Sequence, residues 1–160
     1  MPTGNRFVWD TSALISMARS FDPYHLSCYQ FMREHENDTH IFPVIGWFEW
    51  QATLSRIERD GEKVLRDLYL IDEKNYVLYI DSSFVKKAHE LELHLKFSSL
   101  RGADLIFACA AVIEDATLVT RDKNFLGLDG LRVIIPKTPV DQDGNELNFW
   151  SGHPIHGAKS

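Results

Sequence analysis

A chain of 160 residues, 44% hydrophobic and 25% charged, suits one globular domain around a single sizeable core. Its formal net charge of −6 argues against simple electrostatic capture of nucleic acid. No run approaches the ~20 apolar residues of a membrane span, and the N-terminus lacks a basic-then-apolar leader, so no membrane role and a cytoplasmic location are expected. The two cysteines form no zinc or redox motif; Cys109, inside LIFACAAVI, reads as a small buried hydrophobe.

Strand and helix signals alternate along the chain. RFVW (6–9) reads as a strand, followed by a helical stretch, SALISMARS, that Asp10 or Ser12 would cap. Residues 24–36 form a second helical pattern, ended by Asn37-Asp38. HIF (40–42) is a short strand before Pro43. A long amphipathic helix is expected over 44–70, weakened at Asp60-Gly61. VLYI (77–80) is a third strand, after which Asp81 or Ser82 would cap the helix SFVKKAHELELHL. Residues 103–113, ADLIFACAAVI, are apolar on nearly every face, as in a helix packed inside a protein. ATLVT (116–120) and LRVII (131–135) complete five strands. This order predicts an α/β three-layer sandwich, a five-stranded parallel sheet between helices. The domain is expected over 1–135, with 136–160 a polar, Gly-containing tail.

Four acids fall where such a fold collects its chemistry. Asp10 follows the first strand directly, and Asp122, in VTRDKNF, follows the fourth. Ligands of open parallel sheets bind outside the carboxyl ends of the strands. Glu49, in GWFEWQA, and Asp104, in GADLIF, are carried on helices. Each has a plainer explanation. Asp10 could cap its helix, and Asp104 could cap a helix starting at Leu105. Glu49 could face solvent, and Asp122 could serve a turn. All four together point instead to a site for a divalent cation, because clustered carboxylates repel one another unless a cation lies among them.

The pieces VWDTSALI, the helix-borne Glu49, GADLIFACAAV and LVTRDKNF, in that order from about residue 6 to 135, resemble the PIN-domain nucleases, in particular the compact VapC-like toxins. The resemblance implies a five-stranded parallel sheet whose acids meet at its carboxyl edge. It places the family's catalytic and metal-binding acids on Asp10, Glu49, Asp104 and Asp122, with Ser12, Thr120 and Asn124 supporting the metal or its waters. Many relatives carry an acid where this chain has Asn124, so the choice between one metal and two stays open. It also implies RNA as substrate, a 5′-phosphate on one product, a homodimer, and a cognate antitoxin as partner.

The expected cofactor is Mg²⁺ or Mn²⁺, which takes oxygen ligands and keeps several waters. It would polarise a phosphodiester oxygen and lower the pKa of a bound water. Asp10 and Asp104 are the expected direct ligands; Asp122 and Glu49 would complete the shell or orient the water, with Glu49 the candidate general base. Arg56, Lys63, Arg101, Arg121 and Lys123 are the candidate phosphate contacts. Three other activities compete with the toxin. An aspartyl-nucleophile phosphatase needs a second Asp two residues after the first, where this chain has Ser12. A housekeeping RNA-processing nuclease would share the site. A non-catalytic interaction module would use the apolar helix and the aromatics, Trp47, Phe48 and Trp50, as partner surface rather than as a base-stacking platform. DQDGNE (141–146) is rejected as a calcium loop because its glycine is misplaced, and HPIH near the C-terminus is read as tail.

Overall fold

The computed structural model describes residues 4–19, 22–57, 76–138 and 140–145, without the side chains of 54–57. Five strands form one all-parallel sheet: β1 (Arg6–Trp9), β2 (Thr39–Pro43), β3 (Tyr76–Leu78), β4 (Thr117–Val119) and β5 (Val133–Ile134). Their spatial order is β3-β2-β1-β4-β5. The chain thus builds outward from β1 in one direction and then returns to build on β1's other side. The strand order reverses between β1 and β4, which pair from Phe7 opposite Thr117 to Trp9 opposite Val119.

Alternate residues of the central strands feed two apolar clusters, one per face. Phe7, Trp9, Phe42 and Val119 join one, with Ala13, Leu14, Met17 and Trp50. Val8, Ile41 and Leu118 join the other, with Phe84, Leu93, Phe97 and Phe107. Strands covered on both faces read as continuous apolar runs, and this is why such short segments were recognisable in the sequence. Trp9 donates its indole N–H to Nδ1 of buried His40 at 2.9 Å, so the imidazole proton sits on Nε2, which lies 2.8 Å from the carbonyl of His35. Burial holds this ring below the usual histidine range.

Helices α1 (Thr11–Ala18), α2 (His25–Glu34) and α3 (Val44–Ile57) belong to the first half of the chain. Helices α4 (Ser82–Glu90), α5 (Leu93–Lys96) and α6 (Gly102–Ile113) belong to the second. The expected strand at 40–42 extends to 39–43: Pro43 lies opposite Leu78 at the strand's last position, where a missing N–H costs least. The helix expected over 44–70 is seen as α3, and the remainder, including Asp60-Gly61, lies outside the described residues. The single helix expected from Ser83 to Leu95 is two, because Glu92 adopts a left-handed φ of 52° between α4 and α5. Helix α6 is apolar from Leu105 onward, but only Phe107–Ala111 are buried, and Leu105, Ile106, Val112 and Ile113 are half-buried. In the expected tail, Asp141 accepts the backbone N–H groups of Asp143 and Asn145, each at 2.9 Å, forming a compact turn. HPIH lies outside the described residues. Among the described residues, no helix is long and apolar enough to cross a membrane.

Candidate metal centre at the switch point

Asp10 lies between β1 and α1, as the N-cap of α1. Its backbone N–H bonds the carbonyl of Val119 on β4 at 3.0 Å, which fixes it in the crevice where strand order reverses. Its side chain caps α1 by accepting the Ala13 N–H at 3.0 Å. Two hydroxyls share the same carboxylate: Ser12 Oγ donates to Oδ1 at 2.7 Å, and Thr120 Oγ1 donates to Oδ2 at 2.5 Å. Each hydroxyl accepts in turn a backbone N–H from the turn after β4. Arg121 N–H reaches Ser12 Oγ at 3.0 Å, and Asp122 N–H reaches Thr120 Oγ1 at 2.9 Å. A hydroxyl has one proton, so accepting on one side turns that proton toward Asp10. Ser12 and Thr120, expected to support a metal or its waters, therefore act here on Asp10 itself.

Asp10 is 3% exposed. Burial pushes its carboxyl up to about 6, although the Thr120 and Ser12 hydroxyls and the Ala13 N–H pull it down; the charge of Asp104 adds to the rise. Asp104 lies in the first turn of α6, which starts at Gly102, and does not cap it. Its carboxyl is also raised, by burial first and then by the charges of Asp122 and Glu49. Asp104 thus feels the other acids, and the four expected residues share one region of negative charge.

Glu49 sits on α3 and accepts a short hydrogen bond from Thr11 Oγ1. Thr11 was not anticipated from the sequence; its position directly after Asp10 was the available signal. Asp122 caps the 3-10 turn Lys123–Phe125, accepting the Asn124 N–H at 2.8 Å. Asn124 contributes that backbone group, while its side chain is exposed.

Among the described residues no three His, Cys, Asp or Glu side chains stand together as a ready-made metal cage. None of the four acids makes a salt bridge among them either; the ion pairs join Arg6 to Glu114, His35 to Asp38, Lys86 to Glu90 and Arg132 to Asp115. The donor set is oxygen only and short of positive charge, which fits a hard divalent ion that needs one or two carboxylates and keeps its remaining waters.

The expected phosphate contacts fare differently. Arg121 is committed elsewhere: its guanidinium carbon lies 3.6 Å from the ring centroid of Tyr24, and Nη1 donates to the Pro136 carbonyl at 2.9 Å. Arg101 folds back on its own turn, donating to the carbonyls of Ser98 at 2.6 Å and Leu100 at 3.3 Å. Lys123 is exposed. The Arg56 side chain and all of Lys63 lie outside the described residues. Of the aromatics around Glu49, Trp50 is core, whereas Trp47 and Phe48 are exposed as an edge-to-face pair with ring centroids 5.0 Å apart.

Comparison with known proteins bears on this arrangement. Residues 7–131 match the PIN domain. A chain of the VapBC2 structure from Rickettsia felis, bound to a promoter DNA fragment, is 20% identical with a TM-score of 0.61, covering 82% of this chain and 99% of that one. A chain of VapBC-1 from nontypeable Haemophilus influenzae is 21% identical with a TM-score of 0.55, covering 81% and 96%. VapC20 from Mycobacterium tuberculosis, a toxin that cleaves the sarcin-ricin loop, is 12% identical with a TM-score of 0.57, covering 79% and 98%. At these identities the likeness shows the fold. No curated protein matches the chain in sequence. The profile match spans most of the chain, from β1 through β4 to the approach to β5, and includes each of the four acids; the chain belongs to the PIN-domain family.

Proposed function

We propose that this protein is a Mg²⁺-dependent endoribonuclease, with Mn²⁺ as an alternative ion, and that it is the toxin of a type II toxin–antitoxin pair. The observation that carries the reading is the shared negative charge of Asp10, Glu49, Asp104 and Asp122 at the switch point, balanced by no ion pair among the described residues. PIN-domain nucleases generally use a divalent metal, and a bound cation would relieve the electrostatic strain written into the raised carboxyls of Asp10 and Asp104.

Asp10 and Asp104 are the residues we assign to hold the ion. Asp10 arrives already oriented by its two hydroxyls and the helix N–H. Asp104 stands on the first turn of α6 with no hydrogen-bond donor to its carboxylate among the described residues, free to take a ligand. Asp122 completes the shell or orients a water. Glu49, with one oxygen held by Thr11, is the general base that takes the proton of the attacking water. The ion, when bound, supplies Lewis-acid stabilisation of the phosphodiester oxygens. The nuclease domain is assigned to 1–135 and the polar segment to 136–160.

Toxin identity is supported by solved structures that share the fold, among them a toxin–antitoxin complex and VapC20, a sarcin-ricin loop cleaving toxin. The family resemblance implies a homodimer, and we assign to it the groove of about 380 Å³ between α4 and α6, lined by Phe84, Val85, Ala88, Leu105 and Ile106. A second copy of this chain would cover it, and the oligomeric state in solution, read by light scattering, tests that part. A cognate antitoxin completes the set of partners.

The deciding assay is RNA cleavage by the purified protein with Mg²⁺, with EDTA and as Asp104→Asn. Cleavage should require the ion and fall by at least ~10²-fold in the variant. Undiminished cleavage by Asp104→Asn would overturn the assignment. Growth arrest on expression, relieved by the same substitution, separates a toxin from a housekeeping processing enzyme.

A further inference from the structure

The turn after β4 carries half of the candidate centre, and one arginine ties it down. Arg121 N–H orients Ser12, the next N–H orients Thr120, and the next side chain is Asp122. The Arg121 side chain leaves this turn in another direction. It stacks on Tyr24, just ahead of α2, and bonds the carbonyl of Pro136, just beyond β5. Its Nε is buried without a partner among the described residues. A guanidinium with one face on an aromatic ring and a donor spent on a carbonyl is held in one orientation.

We propose that Arg121 is a positioning residue: its guanidinium, clamped between Tyr24 and Pro136, pins the turn that presents Thr120 and Asp122 to Asp10, and it does not contact the RNA. The clamp ties the turn to α2 and to the exit of β5, two segments distant in the chain. Both hydroxyl relays to Asp10 start from backbone N–H groups of this turn. A shift of the turn would therefore release both relays together, along with Asp122. Tyr24 has no other role at the centre and is half-exposed, so its substitution tests the clamp without removing a charge.

This inference rests on the nuclease reading for its kinetic readout only. The experiment uses full-length Arg121→Ala, Arg121→Lys, Tyr24→Leu and Tyr24→Phe. Amide hydrogen exchange at Arg121 and Asp122, followed by NMR without metal, should rise about tenfold or more in Arg121→Ala and Tyr24→Leu and stay unchanged in Tyr24→Phe. Arg121→Lys keeps the charge but loses the planar stack, so its exchange should rise as well. In RNA cleavage the variants that loosen the turn should lose about tenfold or more in kcat with KM and salt dependence unchanged, as for residues acting through a ligand. A raised KM with unchanged kcat, and a salt slope shallower by about one phosphate contact, would make Arg121 a substrate ligand and overturn the proposal. Unchanged exchange in Arg121→Ala and Tyr24→Leu would overturn it too. If Arg121→Ala does not fold, Tyr24→Leu and Arg121→Lys decide between the two roles. Should the wild-type protein cut no RNA, the exchange measurement still decides whether the clamp exists, while the nuclease reading falls by itself.

Discussion

Asp10 and Asp81 perform the same local task in different company. Each follows a strand and caps the next helix, accepting the N–H three residues on: Ala13 at 3.0 Å for Asp10 and Phe84 at 2.9 Å for Asp81. Asp81 follows β3, an edge strand, and is exposed. Asp10 follows β1, the central strand, is 3% exposed, and accepts two further hydrogen bonds from hydroxyls. Helix capping accounts fully for Asp81. It accounts for one of the three bonds at Asp10 and for none of the burial. A buried charge is costly, and serine, threonine or asparagine would cap as well without it. The difference shows that capping and metal binding are not rival explanations of Asp10. The cap fixes the side chain's direction, and the crevice gives that direction a use.

The largest expected effect breaks the symmetry of the pair. Asp10→Asn keeps a capping oxygen but removes the charge, and RNA cleavage should fall by at least ~10²-fold. Asp81→Asn, the matched control, should leave cleavage unchanged.

The second test is electrostatic. An acid whose folded pKa is raised from 3.8 to about 6 keeps a proton in the folded state that the unfolded chain has lost. Stability therefore falls as pH rises through that window, and the penalty is complete above about 6. Asparagine has no such penalty. Relative to its standing near pH 4, Asp10→Asn should gain up to about 3 kcal/mol over wild type by pH 8, read from urea unfolding in EDTA. A difference that does not change with pH would show that Asp10 carries no buried charge. Mg²⁺ should shrink the gain by stabilising the wild-type protein alone.

Smaller still, Thr120→Val preserves shape but deletes one hydroxyl from Asp10, and cleavage should drop roughly 10–100-fold with an unchanged KM. Asp81→Ala should cost about 1 kcal/mol of stability, as an exposed cap does, with no effect on cleavage.

Much of this was legible in the sequence because the physics acting on it is local. RFVW, HIF and ATLVT are recognisable since central strands buried on both faces must be apolar, and the edge strands expected at VLYI and LRVII are present but shorter and half-buried, as Tyr76–Leu78 and Val133–Ile134. Asp10 and Asp122 were placed at strand ends by the same logic. What the sequence did not disclose depends on contacts between distant segments. Arg121 stands beside Asp122 in the chain, but its guanidinium reaches Tyr24, 97 positions earlier, and Pro136. Thr11 looks like an ordinary first helical residue until α3 brings Glu49 to it. The break at Glu92 needs a left-handed residue without the glycine that would have announced it. Core or partner packing was expected for Trp47, Phe48 and Trp50; α3 buries Trp50 in the core and leaves Trp47 and Phe48 in solvent, and the sequence alone did not separate them.

A divalent ion must gather Asp10 and Asp104 if the crevice is a metal centre. Anomalous scattering from crystals soaked in Mn²⁺ measures this directly. A peak within ligand distance of both carboxylates, lost in Asp104→Asn crystals, is the predicted result. A fully soaked crystal with no peak in the crevice between β1 and β4, or with one indifferent to Asp104→Asn, would contradict it.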